Sequence, residues 1–129
     1  MRVVADTNIF LASVLEEPEK ERIVALTSGH ELVAPEILFY EIGNALSALA
    51  KKAVLDADEV NIAWETVQQI PVQLTIVDIG SALRIATAYA IYAYDAYFLE
   101  CAMRMRAPIL TLDKKMKLVA GEIGIQIVE

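Results

Sequence analysis

The sequence predicts an α/β fold, a three-layer sandwich in which a mostly parallel five-stranded sheet is covered by helices on both faces. Two observations carry this expectation. Short apolar runs of β character recur at residues 2–5, 31–34, 72–77, 109–112 and 125–128. Longer segments with helical periodicity separate them, and strands joined through helices make right-handed crossovers and therefore a parallel sheet.

Each connecting segment has its own local signal. Between the first two strands the chain is broken by Glu16-Glu17-Pro18-Glu19, which predicts two short helices meeting at a charged turn. Pro35 opens a helix over about residues 36–52. Asp56, with Glu59 three residues on, has the form of a capping box and starts a helix that runs to about residue 69. Two more helices are expected over residues 79–89 and 95–105, and a short last one over 114–120, closed by Gly121.

The chain of 129 residues reads as one domain, residues 1–129, with no repeat, low-complexity tract or linker where a second could begin. Its hydrophobic fraction of 57% is high, yet no apolar stretch reaches the roughly 18 residues a membrane span needs. The excess predicts a large core and an interface, with no membrane partner. Met1-Arg2 leads straight into Val3-Val4-Ala5-Asp6, an acid where the apolar stretch of a signal peptide would continue, so a cytoplasmic location is expected. Cys101 is the single cysteine and reads as a small buried side chain, which excludes a disulfide or thiolate metal site within the chain. A net charge of -7 argues against a broad basic face for nucleic acid. It leaves room for a nucleic-acid enzyme, because acids gathered around metal ions form a locally cation-rich site that a few lysines can rim.

In open parallel sheets, ligands bind at the edge formed by the C-terminal ends of the strands. Asp6 follows the first strand and Asp113 the fourth; Glu41 is expected about two turns into the helix after the second strand, and Asp95 begins the helix that feeds the fourth. The topology can bring all of them to one edge. Asp6, Asp95 and Asp113 each also suit helix N-caps, where a carboxylate accepts from free N–H groups. Glu41 resists such a reading. Its helical neighbours are Ile37, Leu38, Ala45 and Ala48, an apolar flank on which an ionised carboxylate is costly unless paired or metal-bound. Carboxylates brought together repel, and a divalent cation relieves the conflict. An all-oxygen set selects Mg²⁺, with Mn²⁺ as substitute, over zinc or copper. Such a site lowers the pKa of a water for in-line attack on a phosphodiester and stabilises the leaving oxygen.

Four stretches, Val3-Val4-Ala5-Asp6-Thr7-Asn8, Tyr40-Glu41-Ile42-Gly43-Asn44-Ala45-Leu46, Tyr94-Asp95-Ala96 and Leu110-Thr111-Leu112-Asp113, resemble in order and spacing the four motifs of PIN-domain proteins. The likeness is nearest to VapC-type toxins and runs from Val3 to about Val128. Each motif is short; four in order on the expected elements are specific. The resemblance implies a PIN-like fold and makes Asp6, Glu41, Asp95 and Asp113 the metal-binding and catalytic acids. Thr7 and Asn8 would then orient Asp6 or the waters around the metal, Asn44 would support the site, and Thr111 would stand behind it. It further implies an endoribonuclease, the toxin of a type II toxin–antitoxin pair, which forms a homodimer and is inhibited by a cognate antitoxin whose tail occupies the active site.

Other residues invite competing readings. Asp78 reads as the cap of the helix after the third strand, and His30, the only histidine, falls at the edge away from the acids. Lys114, Lys115 and Lys117 are candidate contacts to RNA phosphates, with a solvated helix face as the alternative. Tyr89, Tyr92, Tyr94 and Tyr97 read as core or dimer packing, with stacking on RNA bases as the alternative. Two rival functions share the pattern. A receiver or phosphatase-type phosphotransfer domain would need a second aspartate beside Asp6, where Thr7 and Asn8 stand. A catalytically silent module that acts only by holding a protein partner would have no use for all four acids.

Overall fold

A computed structural model describes residues 1–129. In chain order the elements are β1 (Arg2–Ala5), α1 (Thr7–Val14), α2 (Lys20–Thr27), β2 (Glu31–Pro35), α3 (Leu38–Lys51), α4 (Ala57–Gln68), β3 (Gln73–Thr75), α5 (Ile79–Tyr89), α6 (Ala93–Met105), β4 (Ile109–Leu110) and α7 (Lys114–Glu122). The strands lie in the order β3-β2-β1-β4 and every pairing is parallel. Val3, Val4 and Ala5 of β1 and Val33 and Ala34 of β2 are buried without alternation, as strands covered on both faces must be.

The sheet has four strands where five are expected. The fifth survives as a single parallel bridge, Ile109 to Ile127, held by Ile109 N–H donating to Gln126 O and Val128 N–H to Ile109 O, both at 2.9 Å. Residues 125–128 are apolar enough to pair, but they meet a β4 of only two residues, which offers no longer ladder. The third and fourth strands are likewise shorter than their apolar runs. The last helix continues through Gly121 to Glu122, and the left-handed glycine that ends the turn is Gly124, at φ +84°.

Helix patterning follows the core. Leu38, Ile42 and Leu46 form the buried stripe of α3, and Ile9, Phe10 and Ala12 anchor α1. Phe98, Leu99, Cys101 and Ala102 bury α6 against β1 and β2. Cys101 is a free buried thiol, as its apolar setting predicts. A second cluster of Ala82, Ala86 and Ala96 joins α5 to α6, its small side chains allowing close approach. Beneath it, buried Glu100 accepts from Asp78 N–H at 2.9 Å and from Arg104 Nε at 2.9 and 3.1 Å, while Arg104 also donates to the Ile76 carbonyl at 2.7 Å. This network fixes the exit of β3 against α6; its sequence signal is only the helical Glu100/Arg104 spacing.

Candidate active site

The C-terminal ends of β1 and β4 are adjacent, Asp6 N–H donating to the Leu110 carbonyl at 3.0 Å. Asp6, buried to 6% exposure, is therefore set in the middle of the sheet edge. Its Oδ1 accepts from Thr7 N–H at 2.8 Å, capping α1. Its Oδ2 accepts from Thr111 Oγ1 at 2.8 Å and Asn8 Nδ2 at 3.1 Å. Asn8 also accepts from Leu112 N–H at 3.1 Å and donates to Thr111 Oγ1 at 3.3 Å, tying the end of β1 to the segment after β4. Asp113 N–H donates to that same threonine hydroxyl at 3.0 Å. Thr111 thus joins both aspartates.

Asp113 caps α7 through Oδ1, which accepts from Lys115 and Met116 N–H at 2.8 and 3.1 Å, leaving Oδ2 for another partner. The capping readings of Asp6 and Asp113 hold alongside any other use of these acids. For Asp95 capping fails, because α6 starts at Ala93 after an N-cap Tyr92 that makes no side-chain cap, and Asp95 stands inside the first turn. Glu41 also stands in a first turn, nearer the sheet edge than expected, since α3 begins at Leu38. Both carboxylates face the favourable end of a helix dipole.

The electrostatics show which acids share space. Burial, opposed by the bonds from Thr111 and Thr7 and reinforced by Asp95 and Asp113, pushes Asp6 up to about 6. Burial and the repulsion of Asp6 and Asp95 push Glu41 up to about 7. Asp95 is raised by burial and by Asp113, with Lys115 opposing. The four predicted acids are therefore linked electrostatically, Glu41 through Asp6 and Asp95. No three of them stand as a ready-made cage at liganding distance. Unneutralised carboxylates repel one another, and a hydrated cation with its coordinated waters can span such a spacing.

A specific atom favours such a cation. Glu41 Oε1 and Thr7 Oγ1 are both buried and without a hydrogen-bond partner. They are near enough for the hydroxyl to hold Glu41 down slightly, but the geometry is not that of a formed bond. An orphaned carboxylate oxygen beside the charges of Asp6 and Asp95, with no histidine or cysteine nearby, fits a hard divalent ion and its waters.

The supporting residues are less uniform. Asn44 is exposed and lines a groove with Ile37, Tyr40, Glu41 and Tyr94. Lys115 Nζ donates to the Ala90 carbonyl at 3.3 Å and lies beside Asp95. Lys114 is exposed, and Lys117 lines a different groove with Arg22 and Thr111. Asp78 caps α5 on the far edge strand, accepting from Ser81 N–H at 3.1 Å, and His30 is exposed at the opposite end of the sheet. Of the tyrosines read as packing residues, Tyr89 and Tyr97 are half-buried, but Tyr92 and Tyr94 are exposed. Tyr40, passed over because it sits within the Glu41 motif, is exposed as well.

The PIN domain matches this chain over residues 3–122, and the chain belongs to that family. Ribonuclease VapC3 of Pyrobaculum aerophilum is 25% identical to it over 121 residues, covering 90% of this chain and 92% of the relative. The crystal structure of PAE2754 from the same organism superposes with a TM-score of 0.71 at 18% identity, over 92% of this chain and 79% of that one. VapBC2 from Rickettsia felis, crystallised bound to a DNA fragment from their promoter, gives 0.69 at 15% identity over 100% and 98%. The two structural matches establish a shared fold.

Proposed function

We propose that this chain, acting as one PIN-like domain, is a Mg²⁺-dependent endoribonuclease and the toxin of a toxin–antitoxin pair. The observation that carries the reading is the electrostatic linkage of Asp6, Glu41, Asp95 and Asp113, together with a buried Glu41 carboxylate oxygen that has no partner. These four acids would hold Mg²⁺, or Mn²⁺ in its place. A bound hard dication supplies a water of lowered pKa and positive charge for the phosphodiester. Asn8 and Thr111 fix the rotamer of Asp6, and the backbone caps fix that of Asp113. Lys115, beside Asp95, offers a cation to a substrate phosphate, and Lys114 extends that rim. The relative named ribonuclease VapC3 supports the choice of RNA. VapBC2 supports a cognate antitoxin as partner. Homodimer formation and a cytoplasmic location complete the proposal; no helix is long and apolar enough to cross a membrane.

The test is cleavage of RNA by purified protein with Mg²⁺, with a chelator, and with Asp6→Asn in parallel. Cleavage should require the metal and vanish in the chelator. Losing a ligand that contributes several kcal/mol to the transition state should slow the variant roughly a thousandfold. Equal cleavage by variant and wild type would trace the activity to a contaminating nuclease and refute the proposal.

A further inference from the structure

Tyr40 from α3 and Tyr94 from α6 line one groove of about 400 Å³ with Ile37, Glu41 and Asn44. Their exposures of 81% and 58% leave two large aromatic rings in water directly beside the acid cluster. Core packing accounts for neither. The Tyr94 ring is held edge-to-face on Tyr97, with centroids 5.8 Å apart, and so presents a defined surface. Glu41 is the only charged residue of the groove, and no lysine or arginine lines it, so the lining suits a neutral planar ring better than a phosphate. Asn44 adds an amide that can both donate to and accept from the edge of such a ring. Glu41 belongs to this groove and to the acid cluster alike, so an occupant of the groove continues directly into the phosphodiester at the acids.

We propose that Tyr40 and Tyr94 form a stacking clamp for the unpaired RNA base next to the cleaved phosphodiester. The proposal rests on the ribonuclease reading above. A base inside a duplex is stacked on its neighbours and cannot reach the rings; a splayed base can.

Binding tests the clamp independently of cleavage. The probes are a fluorescent oligoadenylate of roughly 15 nucleotides, near the upper site size of single-strand binders, and the same backbone with abasic sugars. Fluorescence anisotropy is measured with Mg²⁺ in the Asp6→Asn background, which keeps the probes intact. Tyr40→Leu and Tyr94→Leu should each weaken oligoadenylate binding about tenfold, the loss expected for one stacked base. Tyr→Phe and Tyr→Trp at either position should retain it. The abasic probe should bind weakly and equally to all of them. Both rings are exposed, so melting temperatures should not move; if a leucine variant does unfold, the Phe and Trp variants set against the abasic probe still decide the matter. The clamp is overturned by leucine variants that bind like the parent, by phenylalanine variants as weak as leucine, by equal losses on the abasic probe, or by a parent that binds no RNA. Unchanged RNA affinity with loss of a protein partner would assign the rings to protein docking. Cleavage assayed alongside separates the two ideas: full cleavage with unaffected binding removes the clamp alone, and intact binding without cleavage removes only the nuclease.

Discussion

Asp6 shows how one carboxylate can serve a helix and a site together. Oδ1 satisfies the start of α1, and Oδ2 is oriented by Asn8 and Thr111. Because the Thr111 hydroxyl also receives Asp113 N–H, Thr111→Val removes the contact that aligns both acids while keeping the shape of the side chain. We expect Mn²⁺ affinity, read by calorimetric titration, to fall about 10- to 100-fold, as it does when a group that orients a metal ligand is lost. Protonation gives a second prediction. The folded chain raises Asp6 to about 6 and Glu41 to about 7, above their values in an unfolded chain. The neutral forms are therefore favoured by folding, and the stability these groups lend is present in full below about pH 4 and is lost as the pH climbs through 6 and 7. In chelator, wild type should lose melting temperature between about pH 4.5 and 7 relative to Glu41→Gln, and Mg²⁺ should restore it at the upper end. A wild type that gains stability over Glu41→Gln on the same climb would contradict the burial and repulsion assigned to this carboxylate.

The helices were the most legible elements, because apolar periodicity and caps are both written locally. The Asp56/Glu59 capping box is present as expected, with Glu59 N–H to Asp56 Oδ1 at 2.8 Å and Asp56 N–H to Glu59 Oε1 at 3.1 Å. Starts were legible only to within a turn, and that error misplaced Glu41 and gave Asp95 a capping role that it lacks. Strand extent was less legible still. An apolar run reveals a wish for burial, whereas a ladder depends on which neighbour is present, and β3 pairs with only three residues of β2 and β4 with only two of β1. Left-handed helix ends were invisible, since α5 ends on Ala90 at φ 54° and α6 on Arg106 at φ 51°, where glycine is the usual signal. Ala90→Gly should therefore relieve a left-handed strain of about 1 kcal/mol, partly offset by the freer unfolded chain. A gain of about 2–4 °C in melting temperature checks it. Lower stability would show that packing, and not the helix end, sets the preference at this position.

The four acids come from separate stretches of sequence, and only a parallel sheet with its strand ends at one edge brings them together. That convergence was legible from topology and motif order. The exposed tyrosines were not, because periodicity cannot tell a buried aromatic from one left in water. The molecule's net charge of -7 has its own consequence. With only the lysines of α7 near the site, RNA affinity should vary weakly with salt, with a log–log slope of magnitude about 2 from two or three phosphate contacts on a single strand. A slope several times steeper would point to a basic track elsewhere on the surface. The central claim is most directly tested by an anomalous-difference map from crystals of the protein soaked in Mn²⁺. The account predicts density among the carboxylates of Asp6, Glu41, Asp95 and Asp113; manganese bound only elsewhere, with those carboxylates turned away from one another, would contradict it.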